Sequence, residues 1–177
     1  MKVDSLSDVC MNTLHQHTLP GLFNLKYLQE SLQREIHRSI RKEGALSLLI
    51  IELDHMTEIN ARYGQETRNE VLAAVGKFLE GQVRSGEIAC RYRGDIFVLN
   101  FPGFPCEAVW LRVEEFQDDF KLLGTEHQDK EIGPMTLSIG ISTYPEIGKD
   151  SESLLQAAEV SLNLAKSGGH NRVSLPH

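Results

Sequence analysis

Cysteine is scarce in this 177-residue chain, with Cys10, Cys90 and Cys106 scattered and odd in number. Lacking a Cys-x-x-Cys pair, they exclude a disulfide framework and read as buried or idle thiols in a reducing compartment. No apolar run approaches the roughly 20 residues of a membrane span. The start, Met1-Lys2-Val3-Asp4-Ser5, lacks the apolar core of a signal peptide. The expectation is a cytoplasmic protein with no membrane insertion of this segment. Positive charge is in deficit, with 18 Lys and Arg against 25 Asp and Glu and a net charge of -7. That balance argues against a nucleic-acid partner or an anionic membrane surface. Internal repeats, low-complexity tracts and linkers are lacking, and His15, His17, His37, His55 and His127 show no metal-ligand spacing, so they read as surface residues.

What is present is ordinary for a soluble globular protein: 41% hydrophobic and 24% charged residues. The length suits one domain with a real core. Residues 1–17 lack periodicity and read as a stub or junction, leaving 18–177 as the folded domain. Leu25, Leu28, Leu32, Ile36 and Ile40 recur at helical spacing, predicting a helix from about Leu22 to Lys42 that Gly44 stops. Leu46 to Leu53 is nearly continuous apolar sequence, as in a strand covered on both faces. A short helical turn, Tyr63-Gly64 and a second long helix marked by Val71, Leu72, Val75, Phe78 and Leu79 follow. Ile88 to Tyr92 and Ile96 to Phe101 read as a hairpin, and Pro102, Gly103 and Pro105 then break the chain. A helix over Ala108 to Leu122 carries Trp110 toward the core or an interface. After a polar loop at 124–133 come a strand from Met135 to Ser142 and a helix through Leu154, Leu162 and Ala165, ended by Gly168-Gly169. Arg172 to Leu175 adds a candidate edge strand. The order implies a sheet with helices packed on it and by itself names no function.

The hairpin carries the chemistry. Arg91-Tyr92-Arg93-Gly94-Asp95-Ile96-Phe97 resembles the Gly-Gly-Asp/Glu-Glu-Phe turn of the GGDEF family, the diguanylate cyclases that make cyclic di-GMP from GTP. Other segments resemble the same family in order along the chain. They are Leu19-Pro20-Gly21-Leu22-Phe23-Asn24, Glu52-Leu53-Asp54 through Asn60, Leu137-Ser138-Ile139-Gly140-Ile141, and Ala165-Lys166-Ser167-Gly168 with Asn171. The resemblance implies an α+β fold, a central mainly antiparallel sheet flanked by helices, akin to nucleotide cyclases and polymerase palms. It also implies nucleotidyl transfer assisted by two carboxylate-held metal ions.

Set on this chain, the family pattern is damaged. Its metal carboxylates fall at Glu52, longer by a methylene, and at Asp95. The neighbouring catalytic Glu is Ile96, which can neither ligate a metal nor move a proton. Asp54 reads as a strand-end acid in solvent or at a helix cap. The first turn Gly is Arg93. It reads either as a solvated turn residue or as bulk where a nucleotide would lie, placed to swing onto Glu52 and Asp95 as an internal cation. The phosphate-binding Lys is Thr57, and the phosphate-binding Arg is His170, a residue type largely neutral at pH 7. Lys166 survives. Each lost charge-assisted bond removes about 1.5–3 kcal/mol, so GTP binding would weaken about a hundredfold or more. Asn60 matches the guanine-reading Asn, and Asn69 replaces a guanine-reading Asp. Arg84-Ser85-Gly86-Glu87 sits where many members carry Arg-x-x-Asp, the inhibitory cyclic di-GMP site; the bland alternative is a solvated Arg84–Glu87 salt bridge.

The resemblance therefore implies a degenerate, inactive GGDEF domain serving as a regulatory or interaction module beside another domain or protein. It would require no cofactor, with Mg²⁺ only if a nucleotide binds. The alternatives are a residual diguanylate cyclase using Glu52 and Asp95, and a receptor for cyclic di-GMP or GTP.

Overall fold

The computed structural model describes residue 19, residues 21–123, residue 132 and residues 135–176. The expected stub at 1–17, Cys10, His15, His17, Pro20, His127 and most of the loop at 124–133 lie outside these residues.

Helix α1 spans Leu25–Lys42 and buries Leu28, Leu32 and Ile36 of the apolar stripe read from its spacing, whereas Leu25 is half-buried and Ile40 is exposed. It begins three residues later than expected because Asn24 caps it, its side chain accepting from the Tyr27 N–H at 2.9 Å. The helix ends at Glu43, which itself takes the left-handed conformation (φ 51°), one residue before Gly44. Strand β1 spans Leu46–Leu53, and helix α2 spans Met56–Gln82. The short turn and the second long helix of the sequence reading are one element interrupted at Gly64, whose φ of 86° and ψ of 173° suit glycine alone. The hairpin is β2 (Ile88–Arg93) and β3 (Ile96–Pro102). Helix α3 (Cys106–Leu123), strand β4 (Leu137–Tyr144), helix α4 (Ser151–Ser167) and strand β5 (Val173–Ser174) complete the order.

The five strands lie in the order β2-β3-β1-β4-β5. All neighbours are antiparallel except β4 and β5, so the sheet is mixed only at one edge. Apolar side chains fill both faces. Leu49, Ile51, Phe97, Leu99 and Ile139 pack with α2 and α3, while Leu48, Ile50 and Val98 pack with α1 and α4. That two-sided burial explains why β1 reads as an unbroken apolar run. Trp110 is half-buried against the first of these cores.

Helix α4 presses closely on β4. A Cβ on Gly140 would overlap the Ala158 carbonyl and the Leu162 backbone. Among the described residues, no helix is long and apolar enough to cross a membrane.

Candidate functional site

The C-terminal end of β1 and the β2–β3 turn meet at one end of the sheet. Glu52 lies opposite Ile96 in the β1–β3 register. The Leu53 N–H donates to the Asp95 carbonyl at 3.3 Å, bringing the two acids to adjacent chain positions across the strand pair.

Each acid already faces a cation. Lys166 Nζ, near the end of α4, donates to Glu52 Oε1 at 2.7 Å. Arg68, on α2, places a guanidinium nitrogen 4.0 Å from Asp95 Oδ1. Arg91 donates twice to the Gly94 carbonyl, at 3.0 and 2.8 Å. It also lies close enough to Asp95 for their charges to interact; burial holds its guanidinium below the usual arginine range, with repulsion from Arg68 second.

Arg93 does not join this cluster. Its guanidinium donates to Glu159 of α4 at 3.1 Å and lies 5.3 Å from the centroid of the Tyr92 ring. The expectation that Arg93 swings onto Glu52 and Asp95 is therefore wrong. Its β2 position directs it toward α4, and Lys166 and Arg68 supply the cations instead.

Asp54 corrects a second expectation. It is 4% exposed and caps no helix in solvent. Its carboxylate accepts from Thr136 Oγ1 at 2.6 Å, Ser138 Oγ at 2.7 Å, His170 Nδ1 at 2.9 Å and the Asn171 N–H at 3.0 Å. Burial pushes its pKa up, but the bonds from Ser138, Thr136, His170 and Asn171 together outweigh burial and hold it below the ordinary value. A carboxylate only accepts, so Nδ1 of His170 carries the proton in that contact. His170 thus stands beside Asp54, and the ring of exposed His55 lies 5.6 Å from it, centroid to centroid. His37 is exposed, as expected.

Asn60 and Asn69 sit at exposed positions on either side of the Gly64 break, and Asn69 Oδ1 accepts from Gln65 Nε2 at 3.0 Å. Thr57 is exposed on the first turn of α2.

The Arg84–Glu87 motif has a different partner from the one expected. Glu87 is not in a solvated pair with Arg84. Arg112 of α3 clamps it through two nitrogens, at 2.6 and 2.9 Å, and the Glu87 side chain is 3% exposed. Arg112 also donates to the Gln82 carbonyl and lies 4.7 Å from the centroid of Phe101. The Arg84 backbone N–H donates to Glu87 Oε2 at 2.7 Å, which leaves the Arg84 side chain on an exposed loop. A cleft of about 250 Å³ opens there, and Arg38 and Arg84 both line it. Sequence reasoning missed Arg38, Arg68 and Arg112. Arg112 carried a signal, since it sits beside Val109, Val113 and Phe116 on the apolar stripe of a helix whose other charges are mostly acidic.

A divalent metal at Glu52 and Asp95 finds a poor donor set. Both carboxylates are engaged by cations, and the adjacent side chain is Ile96. Among the described residues, no three His, Cys, Asp or Glu side chains converge as a metal-holding group.

A mixed five-stranded sheet between two helical layers, with an acid at a hairpin turn beside the end of a central strand, is the architecture of a nucleotide-cyclase-like fold. Residues 15–172 match the family described as diguanylate cyclase, GGDEF domain, and the chain belongs to that family. It is 30% identical over 168 residues to the diguanylate cyclase DosC of Escherichia coli, covering 95% of this chain and 36% of that protein. It is 31% identical over 158 residues to the response regulator PleD of Caulobacter vibrioides, covering 88% of this chain and 34% of that protein. The chain thus spans about a third of the length of these relatives. Among solved structures, the GGDEF domain of YfiN (TpbB) from Pseudomonas aeruginosa superposes with a TM-score of 0.79 at 25% identity, covering 88% of this chain and 97% of that one. The coiled coil and GGDEF domain of DgcB from Caulobacter crescentus, in complex with c-di-GMP, gives a TM-score of 0.85 at 23% identity over 96% of this chain and 91% of that one, a likeness of fold.

Proposed function

We propose that this domain is a catalytically inactive GGDEF module that regulates, rather than makes, cyclic di-GMP. The observation that carries the reading is Ile96. It lies half-buried opposite Glu52, where the family resemblance puts a catalytic acid. An alkyl group there supplies no oxygen to a metal and no base to a ribose hydroxyl. Thr57 and His170 stand where the resemblance puts two phosphate-binding cations, and Lys166 is engaged by Glu52. Asn60, Asn69 and Lys166 remain the candidate nucleotide contacts, weakened by these losses.

The cleft beside Arg84 favours a receptor role for the same module. Arg38 and Arg84 line it together, and Arg112 holds Glu87 in place at its wall. Two guanidinium groups in one cleft suit the phosphates of a cyclic dinucleotide. That DgcB binds c-di-GMP adds the ligand class. A partner domain or protein would then read the occupied state.

Incubation with GTP and Mg²⁺ or Mn²⁺, followed by product analysis, tests the reading, with no cyclic di-GMP expected. Metal-dependent product that Asp95→Ala abolishes would overturn it. Calorimetric titration with cyclic di-GMP tests the receptor role, which fails if no binding is seen; binding that survives Arg84→Ala undiminished removes this cleft as the site and places the ligand elsewhere.

A further inference from the structure

We propose that the Glu52, Asp95, Lys166 and Arg68 cluster is an internally neutralised clasp that ties β1 to α4 and the signature hairpin to α2 without a divalent metal. The proposal rests on the reading of an inactive centre and adds what occupies that centre.

The charges come from four separate elements. Glu52 ends β1, Asp95 sits in the hairpin turn, Lys166 is near the end of α4 and Arg68 is on α2. The Glu52–Lys166 contact at 2.7 Å is a charge-assisted hydrogen bond, with the two side chains 20% and 35% exposed. Arg68 and Asp95 are 21% and 31% exposed at 4.0 Å, an electrostatic contact rather than a hydrogen bond. Two carboxylates therefore stand against two cations, and Arg91 adds a third cation near Asp95. Two bare carboxylates would present a charge of -2 to an incoming dication. This cluster presents none of that excess. An arriving Mg²⁺ would have to displace Lys166 from Glu52 and then meet Arg68 and Arg91. Magnesium also gives up water reluctantly and tolerates little geometric error.

The clasp also accounts for the hairpin's placement. Lys166 ties α4 to β1, Arg68 ties α2 to the turn, and Arg93 ties the turn back to α4 through Glu159. The turn is thus held from both sides of the sheet by side chains.

Thermal unfolding of the 177-residue chain, read by circular dichroism with and without millimolar Mg²⁺, tests the proposal. The expected wild-type Tm is the same in both conditions. Lys166→Met should lower Tm by about 2–4 °C, since Glu52 loses its partner. A second variant, Arg68→Met, reports on the other half of the clasp and should fall by less. A Mg²⁺-dependent rise in wild-type Tm that vanishes in the double variant Glu52→Gln and Asp95→Asn would overturn the proposal. So would a Lys166→Met variant as stable as wild type. The cyclase assay is separate. Mg²⁺ stabilisation without product removes the clasp and leaves the inactive reading standing, whereas cyclic di-GMP production removes that reading itself.

Discussion

Across 116 residues of sequence, His170 donates through Nδ1 to the Asp54 carboxylate at 2.9 Å. The neighbouring Asn171 N–H donates to the other oxygen of the same acid at 3.0 Å. His170 and Asn171 both hold positive φ, 63° and 47°. Left-handed backbone in two successive non-glycine residues persists only where surrounding bonds fix it. Asp54 supplies two of those bonds, beside the His170 N–H to the Ala165 carbonyl, so the acid just past β1 helps set the path by which the chain enters β5.

Asp54→Ala should cost about 3 kcal/mol, because it leaves several buried donors without an acceptor. The comparison is urea unfolding at neutral pH. The acid limb carries the sign of the effect. The folded-state pKa of Asp54 is held below its ordinary value of 3.8. Its contribution is therefore complete above that value and disappears as pH falls through the lower folded value. Wild type should lose stability in this window more steeply than Asp54→Asn. Parallel acid limbs would remove Asp54 as the cause.

Arg112→Ala should be far more damaging than Arg84→Ala. The first strands the nearly fully buried Glu87 carboxylate, at a cost of about 3–5 kcal/mol. The second removes an exposed side chain and should change stability by about 0.5 kcal/mol or less. Chemical denaturation of the two variants side by side decides the matter, and equal losses would show that Arg112 does not hold Glu87.

Cys90 should be silent toward thiol reagents in the native protein. It is fully buried, and burial pushes its thiol up to about 12. Thiolate is the reacting form, so little is available at pH 8. In a Cys10→Ser, Cys106→Ser background, colorimetric titration should detect no fast thiol until denaturant is added. Rapid native labelling would mean that the sheet edge at β2 opens.

Gly140→Val should lower stability by about 3 kcal/mol or abolish folding, because a side chain there runs into the α4 backbone rather than into a movable side-chain tip. Gly86→Ala, at a loop glycine with no atom within 4 Å of a built Cβ but with φ of 89°, should cost about 1 kcal/mol through backbone strain alone. Thermal melts of the pair separate collision from strain.

Restoring one acid should not restore an enzyme. Ile96→Glu leaves Thr57, His170 and the Lys166–Glu52 pair in place, and groups that act as a unit are not repaired singly. Product analysis with GTP and Mn²⁺ should remain blank, and strong turnover would mean that the other changes matter little.

Local pattern fixed the elements of this protein. The stripe of Leu28, Leu32 and Ile36 and the apolar run of β1 report burial directly, because burial acts residue by residue along a regular backbone. The family motifs singled out Glu52, Asp95 and Lys166 as candidates, and the fold brings these three to one end of the sheet. Which charge meets which was decided by tertiary structure. Arg93 lies two residues from Asp95 yet reaches Glu159, 66 residues away. The charge that meets Glu87 is the Arg112 guanidinium, 25 residues away, rather than that of nearby Arg84, and Asp54 is buried by residues from β4 and the C-terminal segment. Coulomb attraction and hydrogen bonding depend on distance in space and on exclusion of water, and the packing of distant elements sets both.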